Sequence, residues 1–185
     1  MRSEHFVRDL AAARIGTTFN FYREGKAAAL RRRRLVRYLD ERRDAVILLV
    51  GEAPGHRGAR VSGIPFTSER QLTGAPPGEA SATVVQRVLA ELDLLEDVLL
   101  WNVVPTHPHL PGRPHTNRSP TVTEIRAGLP FLDELARGRR VLAVGRVAHS
   151  VVGGPYVRHP SRGGAGAFRQ GLRRALRRRY PPQYA

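Results

Sequence analysis

Three short apolar runs punctuate the chain, at residues 45–50, 98–104 and 141–144, and Gly51 and Gly145 close the first and the last. None alternates polar with apolar, so each reads as a strand covered on both faces of a parallel sheet. Tyr156-Val157 adds a short fourth strand. Helical spacing fills the intervals. Val84, Val85, Val88, Leu89 and Leu92 share one helix face, with Ser81 placed to cap it. Thr121 and Glu124 stand at capping-box spacing before Ile125, and Pro130 inside that pattern predicts a kink or a split. Residues 5–43 read as helical, with Leu30, Leu35, Val36 and Leu39 apolar at helical intervals, and a last helix is expected over 167–179. Strands alternating with helices predict an α/β fold, a three-layer α/β/α sandwich around a mostly parallel four-stranded sheet. Residues 1–185 are expected to form a single domain, with 1–44 as an N-terminal helical segment packed on it.

Composition narrows the chemistry. The 185 residues are 41% hydrophobic, enough for a packed core. No run approaches the roughly 18 apolar residues of a membrane span. The first residues, Met1 to His5, lead into mixed polar sequence rather than an apolar signal core. A cytoplasmic protein is expected. There is no cysteine, which excludes disulfides, thiolate catalysis and cysteine-held metals or clusters. The seven histidines show no ligand spacing, so neither a metal nor a cofactor is expected.

The net charge of +15 suits a polyanionic partner, because phosphate contacts dominate affinity for nucleic acids. Lys26 is the single lysine, and a basic balance made almost wholly of arginine also fits a compositional habit of the source genome. Arg31 to Arg34 read as a solvated helix face.

Long Gly/Pro-rich segments lie at 51–65, 73–79, 105–120 and 158–166. Loops of this length in a compact domain carry function, and three of them follow a strand, at the carboxyl edge where open α/β sheets bind ligands. The first holds Gly51-Glu52-Ala53-Pro54-Gly55-His56-Arg57-Gly58 and then Gly63-Ile64-Pro65-Phe66. Its glycines and prolines expose main-chain N–H groups, while Phe66 suits either core packing or a stacked planar ligand. Asn102 lies toward the carboxyl end of the second apolar run. Its amide offers a donor and an acceptor, the complement of one edge of a pyrimidine, and equally the means to satisfy a neighbouring turn. In Arg158-His159-Pro160-Ser161-Arg162-Gly163-Gly164, His159 can donate to a developing anion, and Arg162 with its small neighbours suits a sugar–phosphate backbone. A purely structural loop is the other reading of that segment.

Taken in order, these segments resemble the uracil-DNA glycosylase superfamily over about residues 45–176. Gly-Glu-Ala-Pro-Gly with the later Gly-Ile-Pro-Phe looks like the first motif of its iron–sulfur branches. Asn102-Val103-Val104 with Asn117-Arg118-Ser119-Pro120 and Glu124-Ile125 looks like their middle segment. Val141 to Gly145 with Ala148 looks like their third strand, and His159-Pro160-Ser161 looks like their second catalytic motif. The chain also departs from these relatives. Thr106 and Gly128 stand where the branches carry cluster cysteines, so packing and the N-terminal helical segment are left to do the cluster's structural work. Ala53 stands where the best-known uracil branch has the Asp that positions the attacking water, which leaves Glu52 first and His56 second for that task. Gly55 replaces the Tyr that excludes the thymine methyl, so bases larger than uracil stay open.

The resemblance implies a monofunctional DNA glycosylase of base excision repair, acting as a monomer without a cofactor on uracil or another deaminated base in DNA. Phe66 stacks the flipped base, Asn102 pairs with its polar edge, and the 51–55 main chain with Ala53, Pro54 and Gly55 completes the base pocket. His159 steadies the leaving base and Glu52 handles water. His56, Arg57, Ser161 and Arg162 contact the DNA backbone. Lys26, outside the matching region, leaves no lysine nucleophile there. A DNA-binding protein of the same fold that has lost catalysis is the alternative, together with a preference for hypoxanthine or xanthine. A phosphate loop at Gly51 to Gly58 is a weaker reading, because the chain has neither Gly-x-Gly-x-x-Gly nor a Walker ending.

Overall fold

A computed structural model describes residues 2–177. The elements run α1 (Ser3–Ala12), α2 (Ala28–Glu41), β1 (Ile47–Gly51), α3 (Ala59–Ser62), α4 (Glu69–Thr73), α5 (Ala80–Glu91), β2 (Val98–Asn102), α6 (Val122–Ala136), β3 (Arg140–Val144), α7 (Arg146–Val152), β4 (Tyr156–Val157) and α8 (Ala165–Arg177). The sheet order is β2-β1-β3-β4 and every pairing is parallel. Each residue of β1 and β2 is buried, as strands covered on both faces must be. From β1 the chain crosses to β2 on one side and then returns past β1 to β3 on the other. The crevice between the carboxyl ends of β1 and β3 is therefore the switch point of the sheet, where such folds bind ligands.

One buried hydrophobic cluster runs from Phe6, Val7 and Leu10 on α1 through the strands to Phe168 and Leu172 on α8. β2 is an edge strand, and its outer Leu100 N–H donates to the Tyr38 hydroxyl of α2 at 2.8 Å. That contact covers an otherwise open edge, and burial pushes the Tyr38 hydroxyl up to about 12. Among the described residues, no helix is long and apolar enough to cross a membrane.

Several elements differ from their sequence pattern. The expected helical stretch 5–43 is two helices, with 13–27 between them outside any helix. Asn20 causes the break: its buried amide donates to the carbonyls of Leu10 and Ala13, and its Oδ1 accepts the Tyr22 N–H. Ser81 is not a cap, because α5 begins at Ala80 with Glu79 as its N-cap. Thr121 and Glu124 do form the capping box. α6 runs unbroken through Pro130, anchored by buried Leu132 and Leu135 on the far side of it. The last helix starts at Ala165, earlier than expected, and the final two residues of the 167–179 prediction lie outside the described residues.

The cysteine-less positions have their own solution. Thr106 is fully buried and its Oγ1 lies 2.5 Å from Thr18 Oγ1. Next to it His107 pairs antiparallel with Phe19, with main-chain bonds of 3.1 and 2.9 Å. Gly128 lets α6 approach the end of β2 so closely that a Cβ would strike the Val103 carbonyl. Arg118 grips the buried Glu124 carboxylate with both terminal nitrogens, at 2.7 and 2.6 Å, and Thr17 donates its N–H to the same group. Hydrogen bonds and an ion pair thus tie the N-terminal segment to the 105–120 loop and to α6.

Candidate active site

A cavity of about 830 Å³ opens at the switch point. It takes its walls from the loops after β1, β2, β3 and β4 and from the start of α5. The β1–β2 ladder continues beyond the strands, with Val103 N–H donating to Gly51 O at 2.9 Å and Val104 N–H to Glu52 O at 3.1 Å. This rigid extension carries Asn102, Glu52 and Ala53 to the edge of the cavity. The side chain of Asn102 lines it, is only 4% exposed, and has no hydrogen-bond partner among the described residues. Its amide donor and acceptor therefore stay open to whatever enters the cavity.

Phe66 also lines the cavity. Its backbone sits in the left-handed region, at φ 50°, a conformation an aromatic residue adopts only when its surroundings enforce it. The enforcement is visible. Ser62 donates its hydroxyl to Thr67 O at 2.6 Å and accepts the Ile64 N–H at 3.1 Å, and Gln86 of α5 donates to Phe66 O at 3.2 Å. The ring is driven onto Gly51, where a Cβ would collide with it and come within 2.8 Å of Asn102 Oδ1. Only glycine lets ring and amide meet there.

Across the cavity stands His159. The Ser161 main-chain N–H donates to its Nδ1 at 3.2 Å, and Ser161 Oγ lies 2.9 Å from the same atom. A main-chain N–H can only donate, so Nδ1 is the acceptor nitrogen and the ring proton sits on Nε2. Burial holds the imidazole below its ordinary range, which keeps it neutral at pH 7. The result is a neutral N–H donor with a fixed tautomer.

The 105–120 loop is fastened to the 51–58 loop at two points. His107 donates from Nδ1 to Pro54 O at 2.8 Å, and Asn117 Oδ1 accepts the His56 N–H at 3.0 Å. Burial lowers His107, so it too is neutral. Arg146, Arg158 and Arg162 add positive charge to the wall. Among the described residues, His, Cys, Asp and Glu nowhere gather as a metal site.

Of the residues expected from sequence, Glu52, Ala53, Pro54, Gly55, Phe66, Asn102, His159, Ser161 and Arg162 share this wall. Gly51 lies behind Phe66 and Asn102 rather than on the surface. His56 and Arg57 are not in the wall, and Arg57 is exposed to solvent. Sequence reasoning missed Glu79, Arg146 and Tyr156, all of which line the cavity. Arg146 directly follows the strand-closing Gly145, a position that points to the carboxyl edge. Nothing in the local pattern marks Glu79.

A family model for the uracil DNA glycosylase superfamily matches residues 38–178. Among solved structures, that of wild-type SMUG2 from Pedobacter heparinus superposes with a TM-score of 0.60 at 12% identity, over 95% of this chain and 96% of that one. Identity that low speaks for the fold alone. No curated protein sequence matches the chain.

Proposed function

Since the chain belongs to the uracil DNA glycosylase superfamily, we propose that it is a monofunctional DNA glycosylase that hydrolyses the N-glycosidic bond of uracil, or of another deaminated base, in DNA. The observation that carries this reading is the convergence of a strained Phe66, a cavity-lining Asn102 amide and a neutral His159 donor on one cavity.

The target nucleotide leaves the helix, at a cost of a few kcal/mol, and enters the cavity. Its base stacks on Phe66 and meets the Asn102 amide, which supplies an acceptor for a ring N–H and a donor for the adjacent carbonyl. As the bond from C1′ to the base nitrogen breaks, the electron pair goes to the base and positive charge grows on the sugar. The Nε2–H of His159 stabilises the anionic base, and a preorganised donor in a dry site does this without reorganisation. Water adds to C1′, leaving an abasic site in an uncut strand. Arg158 and Arg162 at the mouth hold phosphates.

The test uses labelled oligonucleotides bearing one uracil, hypoxanthine, xanthine or thymine, single-stranded or paired, followed by alkali to cut abasic sites. Alkali-dependent cleavage that Asn102→Ala and His159→Ala both slow by orders of magnitude is the expected result. Failure to release any base, with salt-sensitive DNA binding intact, refutes the enzyme and leaves a DNA-binding protein.

A further inference from the structure

Hydrolysis through a cationic sugar calls for a negative charge beside C1′ and a group to accept the proton of water, and Ala53 supplies neither. Two carboxylates stand in the cavity wall, those of Glu52 and Glu79. Glu79 is the N-cap residue of α5, and its side chain reaches back across the β1–α3 loop. Both of its oxygens lie against that loop, one on Gly55 and the other on Gly58, so closely that a Cβ at either glycine would overlap the carboxylate. The two glycines leave the room it occupies. In a chain of net charge +15, no arginine pairs with it among the described residues, and its polar partner is the Ser81 hydroxyl. Glu69 and Glu124, by contrast, are each held by a guanidinium, Arg34 and Arg118.

We propose that Glu79 is the catalytic carboxylate of this site: it faces the sugar, balances the positive charge that grows there, and takes a proton from the water that adds to C1′. This rests on the glycosylase reading. In the step, the C1′–N bond breaks as the base departs with its electron pair, and the C1′–O bond forms from water. One water proton passes to Glu79, the other stays on the new hydroxyl, and the proton on Glu79 later returns to the released base through solvent. Burial raises the Glu79 carboxyl above the ordinary range, closer to the working pH, which improves a general base. A carboxylate that already had a cation would have less charge to offer the sugar.

The experiment compares wild type, Glu79→Gln and Glu52→Gln in two ways. The first is single-turnover base release. The second needs no chemistry: affinity for DNA carrying a cationic pyrrolidine in place of the target nucleotide, against DNA carrying a neutral tetrahydrofuran. Gln matches Glu in shape and keeps a contact to Ser81, and an unchanged melting temperature confirms the fold. Glu79→Gln is expected to slow release by roughly 10²–10⁴-fold and to lower the preference for pyrrolidine over tetrahydrofuran by on the order of tenfold, with tetrahydrofuran affinity retained. Release within a few-fold of wild type, or an unchanged preference, overturns the assignment, as does a loss of preference in Glu52→Gln alone. A wild type that releases no base and shows no preference overturns the glycosylase reading itself, and Glu79 with it.

Discussion

Replacing Glu124 by Gln removes one charge from the clasp that ties the N-terminal segment and the 105–120 loop to α6. The carboxylate is 1% exposed, against 18% for its partner Arg118. Burial by itself would raise Glu124, but the two Arg118 hydrogen bonds, the Thr121 N–H and the Thr17 N–H outweigh it and hold the group at about 2 instead of the ordinary 4.5. At about 1.4 kcal/mol per pH unit, this difference amounts to about 3 kcal/mol of folding stability. Loss of one partner from a buried pair costs roughly 3–5 kcal/mol. The lower figure applies here, because Arg118 keeps the His109 and Ser119 carbonyls and some water. In a domain of this size about 3 kcal/mol lowers Tm by roughly 6–12 °C. The sign in pH follows from a depressed carboxylate. The contribution is complete above the unfolded value of 4.5 and is lost as pH falls through about 2. Thermal melts of wild type and variant at pH 7, 4.5 and 2.5 test this. The gap should be full at pH 7 and shrink steadily toward acid. A Glu124→Gln protein that melts within about 2 °C of wild type at pH 7 refutes the reasoning, and so does a gap independent of pH.

Other consequences concern the site. His159→Ala should lower base release by about 10²–10³-fold, the usual effect of losing one preorganised donor, while abasic-DNA affinity in a filter-binding assay stays close to wild type; full activity would remove His159 from the mechanism. Gly51→Ala places a methyl group on the Phe66 ring and beside Asn102 Oδ1. It should abolish release and cost about 1–3 kcal/mol in chemical denaturation through overpacking; an active, stable variant would show that the ring does not need that position. Arg158→Ala and Arg162→Ala should each reduce the slope of log affinity against log salt by about one, independent of DNA sequence. An unchanged slope would take that arginine off the phosphates.

The parallel sheet was legible because strands buried on both faces must be short and wholly apolar, and the runs ending at Gly51, Asn102 and Gly145 are of that kind. Strand ends locate the carboxyl edge, so the motif loops that carry Phe66, Asn102 and His159 could be assigned to one edge before any distance was known. The capping box at Thr121 and Glu124 was equally legible, since it depends on residues three apart. What local pattern does not carry is contact between distant segments. Asn20 breaks the expected N-terminal helix by binding carbonyls of the preceding helix, and α6 passes Pro130 because the core grips it on the far side. The tautomer of His159, the strain at Phe66 and the clasp of Thr18 with Thr106 exist only once loops are packed together. Glu79 is the clearest case. It is one more acidic residue before a helix until the fold lays it across Gly55 and Gly58, where burial raises its carboxyl and no cation among the described residues pairs with it. Periodicity records which residues are buried, whereas the chemistry of a site depends on which buried groups face one another, and that is decided by the tertiary structure.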